Sequence, residues 1–330
     1  IEAEVDGVAD GEKVVIGAVI EHVERAGVYS GDAIMVIPPQ RLKENEIRTI
    51  KEYAKSIARA LAIRGPFNIQ FLVKDGKVYV IECNLRASRS MPYVSKVKGV
   101  NLMRLMAPAL LGEKLKVELD YEPPPTAVGV KVPQFSFMQL EGADPVLGVE
   151  MRSTGEVACL GESFFDALYK ALISAGYKFP SPGDYVLVTV GGVELKRMVL
   201  PLVKALKKMG FRIYATEHTA EFLREEGIDD VETLYKVSEP SRKPNIMDAL
   251  VKGKIRLVIN IPSSVTLDKY ADMLRDEYLI RRKAVELGIP VITTIETAYA
   301  FVKAVAWALL NEPTITSLNE YMDKGDPKIW

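Results

Sequence analysis

Residues with the chemistry of a cation and phosphate site occur close together between positions 65 and 90. Glu82 supplies a carboxylate, and Gln70 and Asn84 supply amide oxygens, which are hard oxygen ligands of the kind that Mg²⁺ prefers. Arg86 and Arg89 follow, and a guanidinium offers a planar fork of donors that matches a phosphoryl group. The pattern indicates a metal and phosphate site; the structural alternative is a hairpin with one hydrated face.

The elements that must position these side chains are two strands in the run GPFNIQFLVKDGKVYVIECNLRASRS. β-branched and aromatic residues flank Asp75-Gly76, a pair typical of tight hairpin turns. A two-residue loop would place Gln70 and Glu82 on opposite faces, whereas a three-residue loop, Lys74-Asp75-Gly76, would place them on the same face. The three-residue loop gives a polar set, Asn68, Gln70, Glu82 and Asn84, and an apolar set, Phe67, Ile69, Phe71, Val73, Tyr79, Ile81 and Cys83.

This run resembles the metal-binding hairpin of the ATP-grasp ligases and, in detail, that of the large subunit of carbamoyl-phosphate synthetases. The resemblance implies that Gln70, Glu82 and Asn84 hold Mg²⁺ or Mn²⁺ ions that bridge the phosphates of ATP, so that Gln70 and Glu82 also bind the nucleotide. It implies that Arg86 and Arg89 hold the phosphoryl group being transferred. Position 85 is Leu where bacterial members usually have Pro, and ECNLRASRS resembles the form of eukaryotic members.

The N-terminal segment carries a second match to the same family. The alternation of Glu2, Glu4 and Asp6 with small or apolar residues predicts a strand, and the run EHVERAGVYSGDA follows a turn and a second strand. The resemblance implies nucleotide contacts at Glu2, through the ribose, and at Tyr29 and Ser30; Tyr29 stands where the family usually has His. The structural alternative for the Gly-containing part of this run is a plain turn.

Composition bounds the remaining possibilities. The chain has 330 residues, 48% of them hydrophobic, which is enough for two ordinary domains. A net charge of -1 offers no field that would attract nucleic acid or an anionic membrane, and no apolar run approaches the roughly 18 residues of a membrane span. Cys83 and Cys159 have no metal-like spacing and form no disulfide framework, so we expect a reducing compartment, the cytoplasm or an organelle matrix. Because the chain starts with Ile1, we interpret it as a piece of a longer polypeptide.

The second half changes pattern after the Pro- and Gly-rich segment 178–184. Short apolar strands alternate with helices, which predicts a parallel sheet covered on both faces. The fold class expected for the whole chain is therefore α/β: a partial ATP-grasp unit, an antiparallel sheet with helices, followed by a doubly wound parallel sheet. The predicted domain limits are 1–120 for the ATP-grasp lobe, 121–180 for a closing segment and linker, and 181–330 for the second domain.

Ligands of such parallel sheets bind beyond the carboxyl ends of the strands, which directs attention to 216–219, 260–264 and 293–294. This part resembles the methylglyoxal-synthase-like regulatory domain that ends the same large subunit. The resemblance implies that Thr216, Thr219, Asn260 and Ser263 bind a small-molecule allosteric effector. Nucleotides, ornithine and acetylglutamate all stay open as effectors, since Asn260-Ile-Pro-Ser263 is closer to the acetylglutamate-responsive form and Val291 stands where bacterial members have Tyr. The structural alternative is helix capping by Thr and Ser.

The resemblance implies a carbamoyl-phosphate synthase activity in pyrimidine or arginine biosynthesis, in which the second synthetase unit phosphorylates carbamate with ATP. The expected partners are ATP, carbamate, a glutaminase subunit or fused domain, the upstream half of the large subunit and the effector. An alternative is a regulatory or binding module without catalysis of its own. A true methylglyoxal synthase would need a catalytic Asp, which 260–264 lacks, and a biotin-carboxylase-type enzyme would not carry this second domain.

Overall fold

The polypeptide forms two compact units in a computed structural model that describes residues 1–262 and 271–325. The first unit comprises Ile1–Pro133, Glu156–Ala171 and the described residues from Glu312 onward, and the second comprises Gln134–Gly155 and the described residues of Leu172–Asn311. No helix within the described ranges is long and apolar enough to cross a membrane. The limits 1–120, 121–180 and 181–330 remain a prediction of domain organisation.

The strands and helices have the following bounds. The strands are β1 Glu2–Asp10, β2 Val14–His22, β3 Met35–Ile37, β4 Arg64–Lys74, β5 Lys77–Asn84, β6 Asp120–Tyr121, β7 Val128–Gln134, β8 Gly155–Gly161, β9 Tyr185–Val190, β10 Arg212–Thr216, β11 Val231–Leu234, β12 Ile255–Ile261 and β13 Val291–Ile292. The helices are α1 Glu44–Ala60, α2 Met91–Lys98, α3 Leu102–Leu110, α4 Phe164–Ser174, α5 Val193–Lys208, α6 Glu217–Glu225, α7 Ile246–Val251, α8 Ala271–Glu286, α9 Ile295–Leu310 and α10 Leu318–Met322.

The first unit is built on one sheet with the order β5-β4-β1-β2-β3-β7-β8, with β6 beside β2. The β1 strand pairs antiparallel with both β2 and β4, so it lies inside the sheet and all nine of its residues are buried. One face packs apolar side chains such as Val5 and Ile69 against Ile50 and Ala54 of α1. The opposite face packs Val8 and Ile20 against residues of α2 and α3. The polar residues of β1 lie on this second face, beyond its apolar cluster.

The hairpin of β4 and β5 differs from its prediction in one respect that matters for the site. The turn has two residues, Asp75 and Gly76, both with positive φ (51° and 74°), so the predicted three-residue loop is wrong. A register shift follows: Phe71 pairs with Val80, but Gln70 pairs with Glu82. Ile81 is therefore the extra residue of a β-bulge, which moves the rest of β5 by one position.

The bulge, rather than the loop, brings Gln70 and Glu82 onto the same face. The apolar face also differs from its prediction, because Tyr79 pairs with Leu72 and does not lie with Phe67, Ile69, Phe71 and Val73. Tyr79 and Ile81 are 49% and 50% exposed on the edge strand β5, whereas Val78 and Cys83 pack against the core.

The second unit contains the predicted parallel sheet, with the order β11-β10-β9-β12-β13. Its strands alternate along the chain with helices, as the sequence pattern predicts. Its core is formed by side chains such as Leu187, Val258 and Ile280. The short elements β11 and α7 had not been identified from the sequence, because four and six residues are too few for a clear periodicity.

Candidate functional site

Two rows of polar residues cross the neighbouring strands β1, β4 and β5 at one end of the first sheet. The strand register places Glu4, Gln70 and Glu82 in one row and Asp6, Asn68 and Asn84 in the next. Directly paired residues point to the same face of a sheet. The sequence-predicted set Gln70, Glu82 and Asn84 is therefore assembled on one face.

The donor atoms of this set suit a hard divalent cation. The Gln70 amide nitrogen lies 3.4 Å from Ser30 Oγ, and the Asn84 amide nitrogen donates to Glu82 Oε1 at 2.8 Å. Both amide nitrogens are thus engaged, which leaves their oxygens and the second Glu82 oxygen to act as ligands. Glu82 is exposed and Asn84 half-buried, so an ion here would keep several waters, as Mg²⁺ usually does. The described residues contain no cluster of three or more His, Cys, Asp or Glu that could hold a metal.

A cleft adjoins the hairpin and belongs wholly to the first unit. Of the predicted site residues, Tyr29, Ser30, Gln70, Arg86 and Arg89 line it. The cleft brings together the predicted phosphate-binding arginines, one predicted metal ligand and the predicted nucleotide contacts of the 29–30 turn. Glu82 and Asn84 lie outside its lining, on the edge strand beside it, and Glu2 also lies outside it.

Two cations and a carboxylate form the far wall of this cleft. Lys131 on β7 is 1% exposed, and its Nζ lies 3.5 Å from a Glu156 carboxylate oxygen and 3.3 Å from the carbonyl oxygen of Gly31. Arg89 reaches the same Glu156 oxygen at 3.4 Å. Burial lowers the pKa of Lys131, and Glu156 and Glu4 oppose that shift. A buried ammonium group that lines an open cleft attracts anions more strongly than an exposed one.

Two buried carboxylates lie at the cleft: Glu4 lines it, and Asp6 lies beside Glu4. Glu4 and Asp6 are 3% and 0% exposed, and the Ser90 hydroxyl oxygen lies 2.9 Å from Glu4 Oε1 and 2.6 Å from Asp6 Oδ2. Asn68 donates to the other Asp6 oxygen at 2.9 Å. Desolvation, with the nearby Asp6 charge, raises the pKa of Glu4 to about 7, and desolvation also raises the pKa of Asp6.

Glu2 positions the turn that carries Tyr29. Its carboxylate accepts a hydrogen bond from the backbone N–H of Gly27 at 3.4 Å, and burial raises the pKa of Glu2. Glu24 binds the far end of the same segment by accepting from the N–H of Ile34 at 2.7 Å. These two carboxylates fix the segment so that Ser30 faces Gln70.

In the second unit, the predicted effector residues Thr216 and Asn260 lie at the carboxyl ends of β10 and β12, the two strands on either side of β9. Thr216 ends β10 and Asn260 pairs with Thr189 on the adjacent β9. Thr216 makes no side-chain capping bond to α6; its hydroxyl donates to Thr219, which in turn accepts from the N–H of Val190 at 3.4 Å. Thr216 therefore does not fit the capping alternative. Ser263 lies outside the described residues.

Asn260 is fully buried, and only half of its amide is satisfied. Its Oδ1 accepts from Arg281 Nη1 at 2.7 Å, while its Nδ2 has no partner among the described residues. Arg281 is itself held by a two-pronged pair with Asp144, at 2.7 and 2.6 Å. A buried donor without a partner has a strong demand for an acceptor oxygen.

Sequence reasoning missed Glu4, Asp6, Lys131 and Glu156 as site residues. The sequence could have placed Glu4 and Asp6 on the same face as Glu2, because the three residues alternate along β1. No local signal marks Lys131 or Glu156, because β7 and β8 lie far along the chain from the hairpin and their side chains meet the cleft only in the folded unit.

Comparisons with known proteins match two different family models to the two parts of the chain. The family model described as the carbamoyl-phosphate synthase L chain ATP-binding domain matches residues 1–118, and the model of the MGS-like domain matches residues 198–293. The predicted fold class, an antiparallel ATP-grasp-like sheet followed by a parallel sheet in an MGS-like region, is confirmed.

Curated relatives match nearly the whole chain. The carbamoyl phosphate synthase large chain, C-terminal section, of Methanocaldococcus jannaschii is 44% identical over 97% of this chain and 52% of that protein. The carbamoyl phosphate synthase large chain of Archaeoglobus fulgidus is 43% identical over 98% of this chain and 29% of its own length. The multifunctional protein pyr-3 of Neurospora crassa is 44% identical over 92% of this chain and 17% of its own length. The chain thus spans about half or less of these relatives.

Proposed function

This chain belongs to the carbamoyl-phosphate synthase large-chain family, and from that membership we propose that its first unit works in an ATP-dependent ligase as the metal-binding lobe that phosphorylates carbamate. The observation that carries the proposal is the bulged hairpin, which aligns Gln70 with Glu82 beside a cleft lined by Arg86, Arg89 and Lys131. Oxygen ligands for a cation and donors for anions thus lie side by side. That is the arrangement phosphoryl transfer requires.

The hairpin would hold the divalent cation, Mg²⁺ or Mn²⁺, through the oxygens of Gln70, Glu82 and Asn84. The bound ion would neutralise charge on the phosphates of ATP. The donor set contains a single carboxylate, which suits a metal that takes its other ligands from phosphates and water.

The cations of the cleft act on the transferring group. In the proposed step an oxygen of carbamate forms a bond to the γ-phosphorus of ATP while the bond to the β,γ-bridging oxygen breaks, which yields carbamoyl phosphate and ADP. Both reactants are anions and repel each other. Arg86 and Arg89 supply donors for the phosphoryl oxygens, and the buried Lys131 offers a fixed positive charge. These groups pay no reorganisation cost during the step, since Glu156 already orients Lys131 and Arg89.

The second unit would bind a small allosteric effector at the carboxyl ends of β10 and β12. Thr216 and Thr219 offer hydroxyl groups there, and the Nδ2 of Asn260, which has no partner among the described residues, supplies a donor for an effector oxygen. Ser263 belongs to the proposed set from its sequence position alone. A carboxylate or phosphate effector satisfies this donor best.

The proposal extends to partners and compartment. The chain would operate as the C-terminal part of a complete large chain, with an upstream half and a glutaminase subunit or fused domain that supplies ammonia, in pyrimidine or arginine biosynthesis. Both cysteines are free thiols, which fits a reducing cytoplasm or organelle matrix.

The test is the partial back reaction, ATP formed from carbamoyl phosphate and MgADP, measured in the complete large chain that contains this sequence. Glu82→Gln removes the carboxylate charge at nearly constant shape, and we expect a loss of about a hundredfold or more in rate. Glu52→Gln, an exposed position on α1, is the matched control and should retain the wild-type rate. A Glu82→Gln enzyme that forms ATP at the wild-type rate contradicts the metal assignment. A wild-type enzyme that forms no ATP favours the alternative of a regulatory module without catalysis.

A further inference from the structure

The two arginines of the proposed site are carried by a loop. Residues 85–90 connect the end of β5 to the start of α2, and Arg86 and Arg89 extend from this loop into the cleft. Both side chains are exposed. Long exposed side chains are positioned only as well as the backbone that carries them.

The loop is anchored at its far end by the hydroxyl group of Ser90. Ser90 is 5% exposed, and its Oγ lies 2.9 Å from Glu4 Oε1 and 2.6 Å from Asp6 Oδ2 on β1. Its backbone carbonyl accepts from the N–H of Val94 at 2.9 Å, so the same residue also begins the first turn of α2. Ser90 thus joins the arginine loop and α2 to a central strand of the sheet.

Ser88 extends this anchor along the loop. Its Oγ lies 3.0 Å from Ser90 Oγ and accepts from the N–H of Met91 at 3.0 Å, and the same hydroxyl also hydrogen-bonds the Asp6 carboxylate. Arg86 has a favourable electrostatic interaction with Asp6, the buried carboxylate that Ser90 contacts. The buried acids of β1 therefore hold the loop through hydrogen bonds and attract one of its arginines through charge.

We propose that Ser90 is a positioning residue for phosphoryl transfer: through Glu4 and Asp6 it sets the place of the loop that carries Arg86 and Arg89. The inference rests on the proposed function. The metal ligands Gln70 and Glu82 lie on strands whose ladder does not depend on Ser90. Loss of the hydroxyl therefore loosens the arginines and leaves the metal ligands in place.

This separation predicts which kinetic constant changes. The arginines act most strongly on charge that develops during transfer, so their displacement lowers kcat. MgADP binding depends on the hairpin and keeps its KM. A displacement of about 1 Å can cost about a hundredfold in rate.

The experiment measures kcat and KM for MgADP in ATP formation from carbamoyl phosphate, with the complete large chain. We expect Ser90→Ala to lower kcat by about ten- to a hundredfold with KM for MgADP within about twofold. Ser90→Thr keeps the hydroxyl and should recover most of the rate. Ser95→Ala removes another buried hydroxyl, on α2, which bonds to the carbonyl of Met91, and should leave both constants at their wild-type values.

A double-mutant cycle with Arg86→Ala separates positioning from a general loss of structure. If Ser90 acts through the arginine loop, adding Ser90→Ala to Arg86→Ala costs much less than it costs in the wild type. Circular dichroism checks folding, and Ser90→Cys, which keeps a weak donor at nearly constant size, replaces Ser90→Ala if that variant does not fold.

Three results would overturn the inference: wild-type kcat in Ser90→Ala, a raised KM for MgADP as the only change in Ser90→Ala, or full additivity in the cycle. A wild-type enzyme without the back reaction overturns the proposed function and this inference with it. Normal wild-type activity with an unaffected Ser90→Ala overturns this inference alone.

Discussion

The buried histidine of β2 predicts a specific loss of stability in mild acid. His22 is 1% exposed, and its Nε2 has no hydrogen-bond partner among the described residues. Desolvation, together with the charges of Lys131 and Arg41, lowers the pKa of His22 from 6.5 to about 3. The folded protein therefore keeps this imidazole neutral at pH 5, whereas the unfolded chain protonates it.

The magnitude follows from proton linkage. A base whose pKa is lowered by folding contributes its full stability above its unfolded pKa, and that stability is lost as the pH falls towards the folded pKa. With pKa values of 6.5 and about 3, the loss between pH 7 and pH 5 is about 2 kcal/mol in the free energy of unfolding. Further loss follows down to about pH 3.

The assay is urea unfolding at pH 7 and pH 5, followed by far-UV circular dichroism. His22→Gln removes the titrating group, so its stability should fall between the two pH values by about 2 kcal/mol less than that of the wild type. The chain has one other histidine, His218, whose side chain is 80% exposed, and His218→Gln is the matched control with an expected wild-type pH dependence. An identical pH dependence in His22→Gln and wild type would refute the reasoning.

Two further predictions concern packing and a buried ion pair. Gly7→Ala should destabilise the first unit by about 2 kcal/mol, because the added Cβ would lie 2.3 Å from Phe67 Cζ, and urea unfolding against Gly148→Ala, where the Cβ meets open space, measures the difference. Arg281→Met should cost the second unit about 3 kcal/mol, because it leaves the half-buried Asp144 without its cation and the buried Asn260 Oδ1 without its donor; tryptophan fluorescence during urea unfolding reports the midpoint.

Each of these predictions has a result that contradicts it. Lys283→Met, on the same helix as Arg281, breaks only a partly exposed pair with Glu286 and should change the free energy of unfolding by less than about 1 kcal/mol. Equal unfolding midpoints for Arg281→Met and Lys283→Met would show that the Arg281–Asp144 pair stabilises the protein no more than a partly exposed ion pair does. A Gly7→Ala protein as stable as Gly148→Ala would mean that Phe67 moves aside freely.

Much of the local structure could be predicted from the sequence. The hairpin was recognised because alternation and Asp75-Gly76 are local signals, and the parallel sheet because its strands and helices are regularly spaced. The bulge at Ile81 could not be predicted, since it depends on how β5 packs against β4. The expected placement of Gln70 and Glu82 on the same face was right, although its predicted cause, a three-residue loop, was wrong.

Lys131 and Glu156 could not be predicted as site residues, for a different physical reason. Lys131 and Glu156 come from β7 and β8, far along the chain from the hairpin, and only the tertiary fold brings them to the cleft. A buried lysine gives no sequence signal, because the letters around it read as an ordinary apolar strand. The roles of Gln70, Glu82, Arg86 and the effector residues remain predictions.

The most direct test of the central claim is whether the hairpin binds a metal–nucleotide complex. Electron paramagnetic resonance of Mn²⁺ with ADP, titrated into the complete large chain, counts the bound ions, and Glu82→Gln reports those that depend on the hairpin. The account predicts that Glu82→Gln loses bound Mn²⁺ relative to wild type and to Glu52→Gln. Equal Mn²⁺ and ADP binding in all three proteins would contradict it.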